Sequence, residues 1–391
     1  MTAMRAIFVG LLVLAAVGAA AQTGARGALF DRTAIEFGGR TGDIALADVN
    51  RDGHVDLIAT RPPDPTVSVR LGDGKGAFTP AAGDPVAIPG GVAAIAVGDL
   101  NGDRAPDLVV ANRDERREYI GVLLGDRAGR FRAATGSPYA TGTAFAFYKP
   151  VLRVVDVNED GRMDIVSTNG RRNTLEILFG DGGGAFSLGA RVMLDAGGDF
   201  YTSHIADVDG DGHADVVSAS GLDAADRVML KRGDGRGGFG ESVVLASTRP
   251  RPRVVALADL NRDTRVDLVV AHGETAILTV LLNGGGRVFT PAAGSPYTIA
   301  AEAFEVEVAD INRDGMEDLV SATVDSRSRP YNASITLLLG SKSGFIAAPG
   351  SPFPVGHGAY NLVVGDVNSD GKVDAAASSF EGDPVTFLLG R

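Results

Sequence analysis

Three carboxylates held within nine residues repel one another unless something neutralises them, and this 391-residue chain makes that arrangement seven times. The segments are Asp48 to Asp56 (DVNRDGHVD), Asp99 to Asp107 (DLNGDRAPD), Asp156 to Asp164 (DVNEDGRMD), Asp207 to Asp215 (DVDGDGHAD), Asp259 to Asp267 (DLNRDTRVD), Asp310 to Asp318 (DINRDGMED) and Asp366 to Asp374 (DVNSDGKVD). They recur at intervals of 51, 57, 51, 52, 51 and 56 residues. A hard divalent cation takes six to eight oxygen ligands at about 2.3 to 2.6 Å, and a tight loop can offer them from alternate side chains and a carbonyl. The expected side-chain ligands are at positions 1, 3, 5 and 9. They are Asp48, Asn50, Asp52 and Asp56; Asp99, Asn101, Asp103 and Asp107; Asp156, Asn158, Asp160 and Asp164; and Asp207, Asp209, Asp211 and Asp215. The last three loops offer Asp259, Asn261, Asp263 and Asp267; Asp310, Asn312, Asp314 and Asp318; and Asp366, Asn368, Asp370 and Asp374.

Position 7 would contribute its carbonyl, which accounts for side chains there as different as His54, Ala105, Arg162 and Met316. Glycine at position 6 permits a sharp turn through positive φ. Arg104 and Thr264 replace it in two loops, where strain or weaker binding is expected. Ordinary turns also favour Asp, Asn and Gly, but turn chemistry does not call for three carboxylates in nine residues seven times over. Up to seven structural Ca2+ ions are therefore expected. They would offset the formal net charge of −12, so that the acidity reflects metal sites and not a basic partner.

Two other calcium modules share this loop grammar. An EF-hand requires a bidentate Glu at position 12 and flanking helices, whereas position 12 of the first loop is Ala59. A dockerin carries two such loops, each followed by a helix. Here short β-type runs follow the loops, as in Asp107-Leu-Val-Val-Ala and Asp267-Leu-Val-Val-Ala.

The elements that position the loops repeat with them. Each unit reads apolar run, acidic loop, apolar run, variable loop, apolar run ending in Leu-Gly, Gly-rich turn, Phe and a looser strand. In the second unit these are Ala94 to Val97, the loop, Leu108 to Ala111, Tyr119 to Leu124, Gly125 to Gly129, and Phe131 onward. Four strands in a period of this length specify a propeller blade. The expected fold is all-β, a seven-bladed propeller of four-stranded antiparallel blades. The last unit supplies only Ala375 to Ser379 and Val385 to Leu389 after its acidic loop. The missing turn and strand occur at the other end, as Gly27 to Phe30 and Thr33 to Phe37, so the N-terminal strand is expected to close the last blade and protect its edge.

The acidic loops and turns such as Phe179-Gly180 with Gly184-Ala185-Phe186 resemble the FG-GAP repeats, also called VCBS repeats, of the integrin alpha-chain propeller and of many secreted bacterial proteins. The resemblance covers about residues 27 to 391. It implies calcium at the loop positions named above, with Arg104 and Thr264 as departures. It does not imply integrin function, because the sequence contains no stalk, inserted adhesion domain or membrane span.

Residues 1–21 carry Arg5, an apolar core from Ala6 to Val17 and Ala19-Ala20-Ala21 before Gln22, the pattern of a secretory signal peptide. The apolar core is shorter than the roughly 20 residues of an uncleaved anchor. Residues 22–26 would be a short linker and 27–391 a single domain, secreted to the periplasm or outside the cell, with no membrane span after cleavage. The chain has no cysteine, leaving ions and ring closure to do the cross-linking.

In an up-and-down blade the acidic loops and Gly-rich turns share one face, and the variable connections share the other. The variable face collects the ligand candidates Arg116, Tyr119, Phe147, Tyr148, Tyr201, His204, Arg251, Arg253, Arg329, His357 and Tyr360. Loops on a rigid scaffold are the usual place for binding. A non-catalytic binding or adhesion module for an extracellular protein or glycan is the favoured reading, with a monomer expected. Arginine supplies all but 5 of the 37 basic residues, so its presence on that face also fits a compositional bias. Nucleic acid is disfavoured by the acidic balance. The alternatives are a lyase acting on uronate polymers, drawing on His204, His272, His357, Tyr148, Tyr201, Arg251 and Arg253, and a structural subunit of a secreted complex. No Ser/His/Asp order or HExxH supports catalysis, and no catalytic residue is assigned.

Overall fold

The computed structural model describes residues 29–391, apart from 89–90, 114–117, 143–149, 170–172, 195–199, 221–225, 249 and 383. The segments expected to be a signal peptide and a linker, Arg116, Phe147 and Tyr148 lie outside the described residues. All regular structure among the described residues is β, in seven antiparallel sheets. No helix among them is long and apolar enough to cross a membrane.

Each sheet is one blade, with strands in sequence order from the axis outwards. Blade 1 contains Ile44–Ala47, Asp56–Thr60, Thr66–Gly72 and Phe78–Pro80, followed by a short piece, Val86–Ala87, that pairs with the same third strand. Blades 2 to 6 begin with Val92–Gly98, Val151–Val155, Phe200–Ala206, Pro252–Ala258 and Glu302–Ala309. Blade 7 contains Ala359–Gly365, Asp374–Ser379 and Val385–Gly390, and Phe30–Ile35 from the start of the domain pairs with Val385–Gly390 as its fourth strand. The N-terminal strand thus closes the ring, as the incomplete repeats require. The first strand of every blade touches the first strands of both neighbours, so these seven strands surround the axis.

The second strands, as in Asp56–Thr60 and Asp267–His272, are buried along their length because they are covered on both sides, and the polar residues they carry, such as Ser167 and Ser321, are small. Alternate side chains of one strand feed different cores: Leu57 and Ala59 pack with Ala376 and Phe387 of blade 7, whereas Ile58 packs with Ile95 and Val110 of blade 2. Seven apolar clusters result, each lying between two adjacent blades. No blade buries its own faces alone, which is the physical reason that such units occur as a closed ring.

Outer strands break at proline-containing turns in blades 1, 2, 5 and 6. Proline is tolerated there because an outer strand does not need its ladder N–H. The residue before each proline supplies an acceptor to the third strand: Asp84 to Val69 N, and the hydroxyls of Ser137, Ser295 and Ser351 to Val122 N, Val280 N and Leu337 N.

Candidate functional site

The acidic loops lie between the first and second strands of all seven blades, and their carboxylates first organise the loop itself. In the first loop Asp48 accepts the N–H groups of Asp52 and Gly53, Asn50 Oδ1 accepts Asp52 N, and Asp52 Oδ1 accepts His54 N. Position 9 does something different. Asp56 is fully buried, its Oδ2 accepting Val49 N and its Oδ1 accepting Gly72 N, both at 2.8 Å. The same pair of bonds recurs at Asp107, Asp164, Asp215, Asp267, Asp318 and Asp374. Each position-9 carboxylate therefore ties its loop to the end of the third strand.

That clamp explains the glycine ending most third strands. A Cβ on Gly72 would lie 2.1 Å from Val55 O, and one on Gly180 would lie 2.2 Å from Met163 O. In blade 5 Asn283 stands there, and its amide donates to the corresponding carbonyl, Val266 O, at 3.0 Å.

Burial pushes the position-9 carboxyls up, Asp56 and Asp374 to about 7 and Asp107, Asp215, Asp267 and Asp318 to about 6, with Asp164 moving the same way. The paired N–H bonds oppose this shift and neighbouring loop carboxylates reinforce it. Carboxylate oxygens of Asp99, Asp209 and Asp366 are buried with no hydrogen-bond partner in the structure. Asp207, Asp209 and Asp215 each bring an oxygen within 4.8 Å of the other two. Asn at position 3 of five other loops donates to the position-5 carboxylate, as Asn50 does to Asp52 at 2.8 Å. Asp209 cannot donate, and Arg232 approaches it at 3.7 Å. An all-oxygen donor set with buried unpaired carboxylate oxygens fits a hard cation, Ca2+ above softer metals.

Position 6 is left-handed in every loop, including Arg104 (φ 68°) and Thr264 (φ 71°). Their N–H groups bond Asp99 and Asp259 as Gly53, Gly161, Gly212 and Gly315 bond theirs, so the loop shape is retained and the cost falls on the backbone of those two residues. Position 4 is left-handed as well, at non-glycines Arg51, Glu159, Arg262, Arg313 and Ser369. The sequence reading attached nothing to that position. Basic side chains at position 7 turn back onto position 5: Arg162 meets Asp160 at 2.5 Å, Lys372 meets Asp370 at 3.0 Å, and Arg265 pairs with Asp263. Neighbouring loops are also joined, by His213 to Glu159 at 2.5 Å and by Gly237 N to Val157 O at 3.1 Å.

The opposite face is irregular. Its described ligand candidates fall into one group and several separate places. Arg253, Arg329 and Tyr360 belong to a cluster across blades 5 to 7. The Arg253 guanidinium lies over the Phe304 ring at 3.7 Å, Phe304 meets Tyr360 edge-on at 4.6 Å, and Tyr360 meets Phe380 at 6.4 Å. Arg329 lies over Tyr331 at 3.9 Å, and Arg253 pairs with Glu302 at 3.7 Å. Burial raises the Tyr360 phenol above its usual range, with Tyr331 and Glu381 adding to the shift and Arg253 and Arg329 opposing it. Phe304, Phe380, Glu302 and Glu381 were not among the sequence candidates. Phe304 was detectable by register: six residues before each acidic loop stand Gly42, Ala93, Pro150, Tyr201, Arg253, Phe304 and Tyr360.

The remaining candidates lie elsewhere. Arg251 pairs with Glu274, and Tyr119 sits in the third strand of blade 2, paired in register with Asn112 and Ala140. His357 ends the outer part of blade 6, opposite Asn332, and Tyr201 lies in the first strand of blade 4. His204 is not at the variable rim but well inside the first strand of blade 4, with Nε2 3.5 Å from Arg153 of the adjoining innermost strand. The residue is half-buried; enclosure of the ring and then the Arg153 guanidinium hold the imidazole below the usual histidine range. His272 is fully buried, with Nδ1 at 2.6 Å from Pro250 O and Nε2 at 2.8 Å from Thr279 Oγ1, which makes it a packing residue and not a group open to substrate, as the lyase alternative would need.

Solved structures with the same fold are distant in sequence. A chain in the crystal structure of BBS1N in complex with ARL6DN has a TM-score of 0.59 at 11% identity, covering 93% of this chain and 98% of that one. A lectin of Agrocybe aegerita, solved for its recognition of non-reducing terminal N-acetylglucosamine, has a TM-score of 0.54 at 17% identity, covering 88% and 92%. Saccharomyces cerevisiae Sqt1 gives 0.54 at 7% identity, covering 87% and 82%. These likenesses establish the fold alone. No curated protein matches the sequence. The FG-GAP-like repeat description matches residues 48–110, 156–218, 207–270, 259–321 and 310–377, well over half of the chain. With its acidic loops in register on seven closed blades, the chain belongs to the FG-GAP-like repeat family.

Proposed function

We propose that this protein is an exported, calcium-stabilised propeller that acts as a non-catalytic binding module, presenting the face opposite its acidic loops to an extracellular protein or glycan. The observation that carries the reading is the contrast between the loops' buried, unpartnered carboxylate oxygens at Asp99, Asp209 and Asp366 and the aromatic and arginine cluster on the other face. Ions in the loops would hold carboxylates that burial otherwise makes costly to ionise. Their role is rigidity. The signal-type sequence at residues 1–21 would bring the domain to calcium-rich surroundings, where loops of modest affinity fill. The Agrocybe aegerita lectin lends support of a limited kind: the same fold can recognise a terminal sugar.

The test is a melting curve and a binding array, each run on the mature protein with Ca2+ and again with chelator. The reading expects a lower melting temperature in chelator, since ions bound only by the folded state stabilise it by mass action. It also expects calcium-dependent retention of a glycan or protein without turnover. An unchanged melting temperature would remove calcium from the account. Release of unsaturated uronate product would replace the binding module with a lyase.

A further inference from the structure

The first strands of blades 5, 6 and 7 carry a β-bulge near their variable-face ends, where the register shifts between Pro252 and Val254, between Ala303 and Glu305, and between Ala359 and Asn361. The skipped residues are Arg253, Phe304 and Tyr360. Bulges re-aim side chains and gather beside functional sites. Here they bring one residue from each of three successive blades into mutual contact, Arg253 on Phe304 and Phe304 on Tyr360. Blade 2 carries the same bulge at Ala93 and blade 1 has Gly42 at that register, so the bulge recurs in the fold while the arginine and aromatic side chains are particular to blades 5 to 7.

Resting on the reading of this face as the binding face, we propose that the bulge cluster of blades 5 to 7 is a saccharide site for an uncharged pyranose glycan. Three properties point to that ligand. The charges are balanced, with Arg253 and Arg329 set against Glu302 and Glu381, so both donors and acceptors lie near the rings. A sugar hydroxyl both donates and accepts and can use the two kinds of group, whereas an anionic polymer would meet the two carboxylates. The Tyr360 phenol is half-buried among these groups and makes no hydrogen bond to another described residue, which leaves its O–H available to a hydroxyl. Phe380, 43% exposed, is the only aromatic among the large exposed hydrophobics of the described residues, and it offers an apolar surface beside Tyr360 for the C–H face of a pyranose ring.

The experiment is affinity electrophoresis of the mature protein through gels containing neutral polysaccharides (β-glucan, xylan, mannan) or acidic ones (alginate, polygalacturonate), with Ca2+ throughout. Phe380→Ala and Tyr360→Phe are run beside the parent, and melting temperatures are taken on all three. The expected result is retardation by at least one neutral polymer. Retardation should weaken about tenfold in Phe380→Ala and about threefold in Tyr360→Phe, with the melting temperature of Phe380→Ala unchanged. Neutral-polymer binding that neither variant alters would place the sugar site elsewhere on the protein and leave the binding-module reading intact. Retardation only by the acidic polymers, or by none, would overturn the saccharide assignment; in the second case a protein partner remains for the broader reading.

Discussion

The two faces of this disc are built by opposite rules. On the acidic face, the position-9 carboxylates from Asp56 to Asp374 make the same pair of hydrogen bonds and perform one task at seven places. On the other face the equivalent register runs from Gly42 and Ala93 to Arg253, Phe304 and Tyr360. The regular face closes each blade onto its own third strand, a requirement every blade shares. The irregular face is under no such demand, so it can differ from blade to blade.

The largest expected effect is on the regular face as a whole. Chelator should lower the melting temperature by well over 10 °C if several loops are filled, because each bound ion adds a mass-action term of about 2.7 kcal/mol at a hundredfold excess over its dissociation constant. Differential scanning fluorimetry across a calcium titration reads this directly, and a flat profile would make the two faces equally metal-independent.

A smaller effect separates position 9 from position 5 within one loop. Asp318→Ala strands the buried N–H groups of Ile311 and Gly340, at a cost of about 3 kcal/mol even in chelator. Asp314→Ala removes an exposed acceptor for Met316 N and Asn312 Nδ2 and should cost under about 1 kcal/mol in chelator, with its main effect on the gain from Ca2+. Urea unfolding of both variants, with and without the ion, distinguishes clamp from ligand. Equal losses under both conditions would erase the distinction.

Thr264→Gly should stabilise the protein by about 1 kcal/mol, since a β-branched residue is held at φ 71° where glycine is at ease. Arg104→Gly should do the same to a lesser degree. A loss of stability in either would show that the side chain makes a compensating contact. The smallest expected effect lies on the irregular face, where Phe380→Ala should move unfolding stability by no more than about 0.5 kcal/mol. A larger loss would make the aromatic cluster part of the core.

The fold was legible because its signals repeat. The blade count, the strand order and closure by the N-terminal segment all follow from seven acidic loops and two complementary incomplete ends, and the strands at Phe30–Ile35 and Val385–Gly390 pair accordingly. The variable face was legible only in part. Arg253, Arg329 and Tyr360 were found by residue type, while Phe304 and Glu302 lie within a strand that reads as ordinary alternation. His272 entered the lyase alternative because it precedes a variable loop in sequence, and only the fold shows its ring enclosed between Pro250 and Thr279.

By itself the sequence determined what local spacing determines: which residues form each loop, where left-handed glycines stand and how many blades the chain supplies. These depend on contacts within about 50 residues, and repetition averages away local ambiguity. The tertiary structure alone decided that position 9 clamps the third strand, that the seven cores lie between blades, and that residues 51 and 56 apart meet as Arg253, Phe304 and Tyr360. Those facts depend on how neighbouring blades twist and where a bulge turns a side chain. Neither is set by the residues of one repeat, because the surfaces that decide them belong to the next.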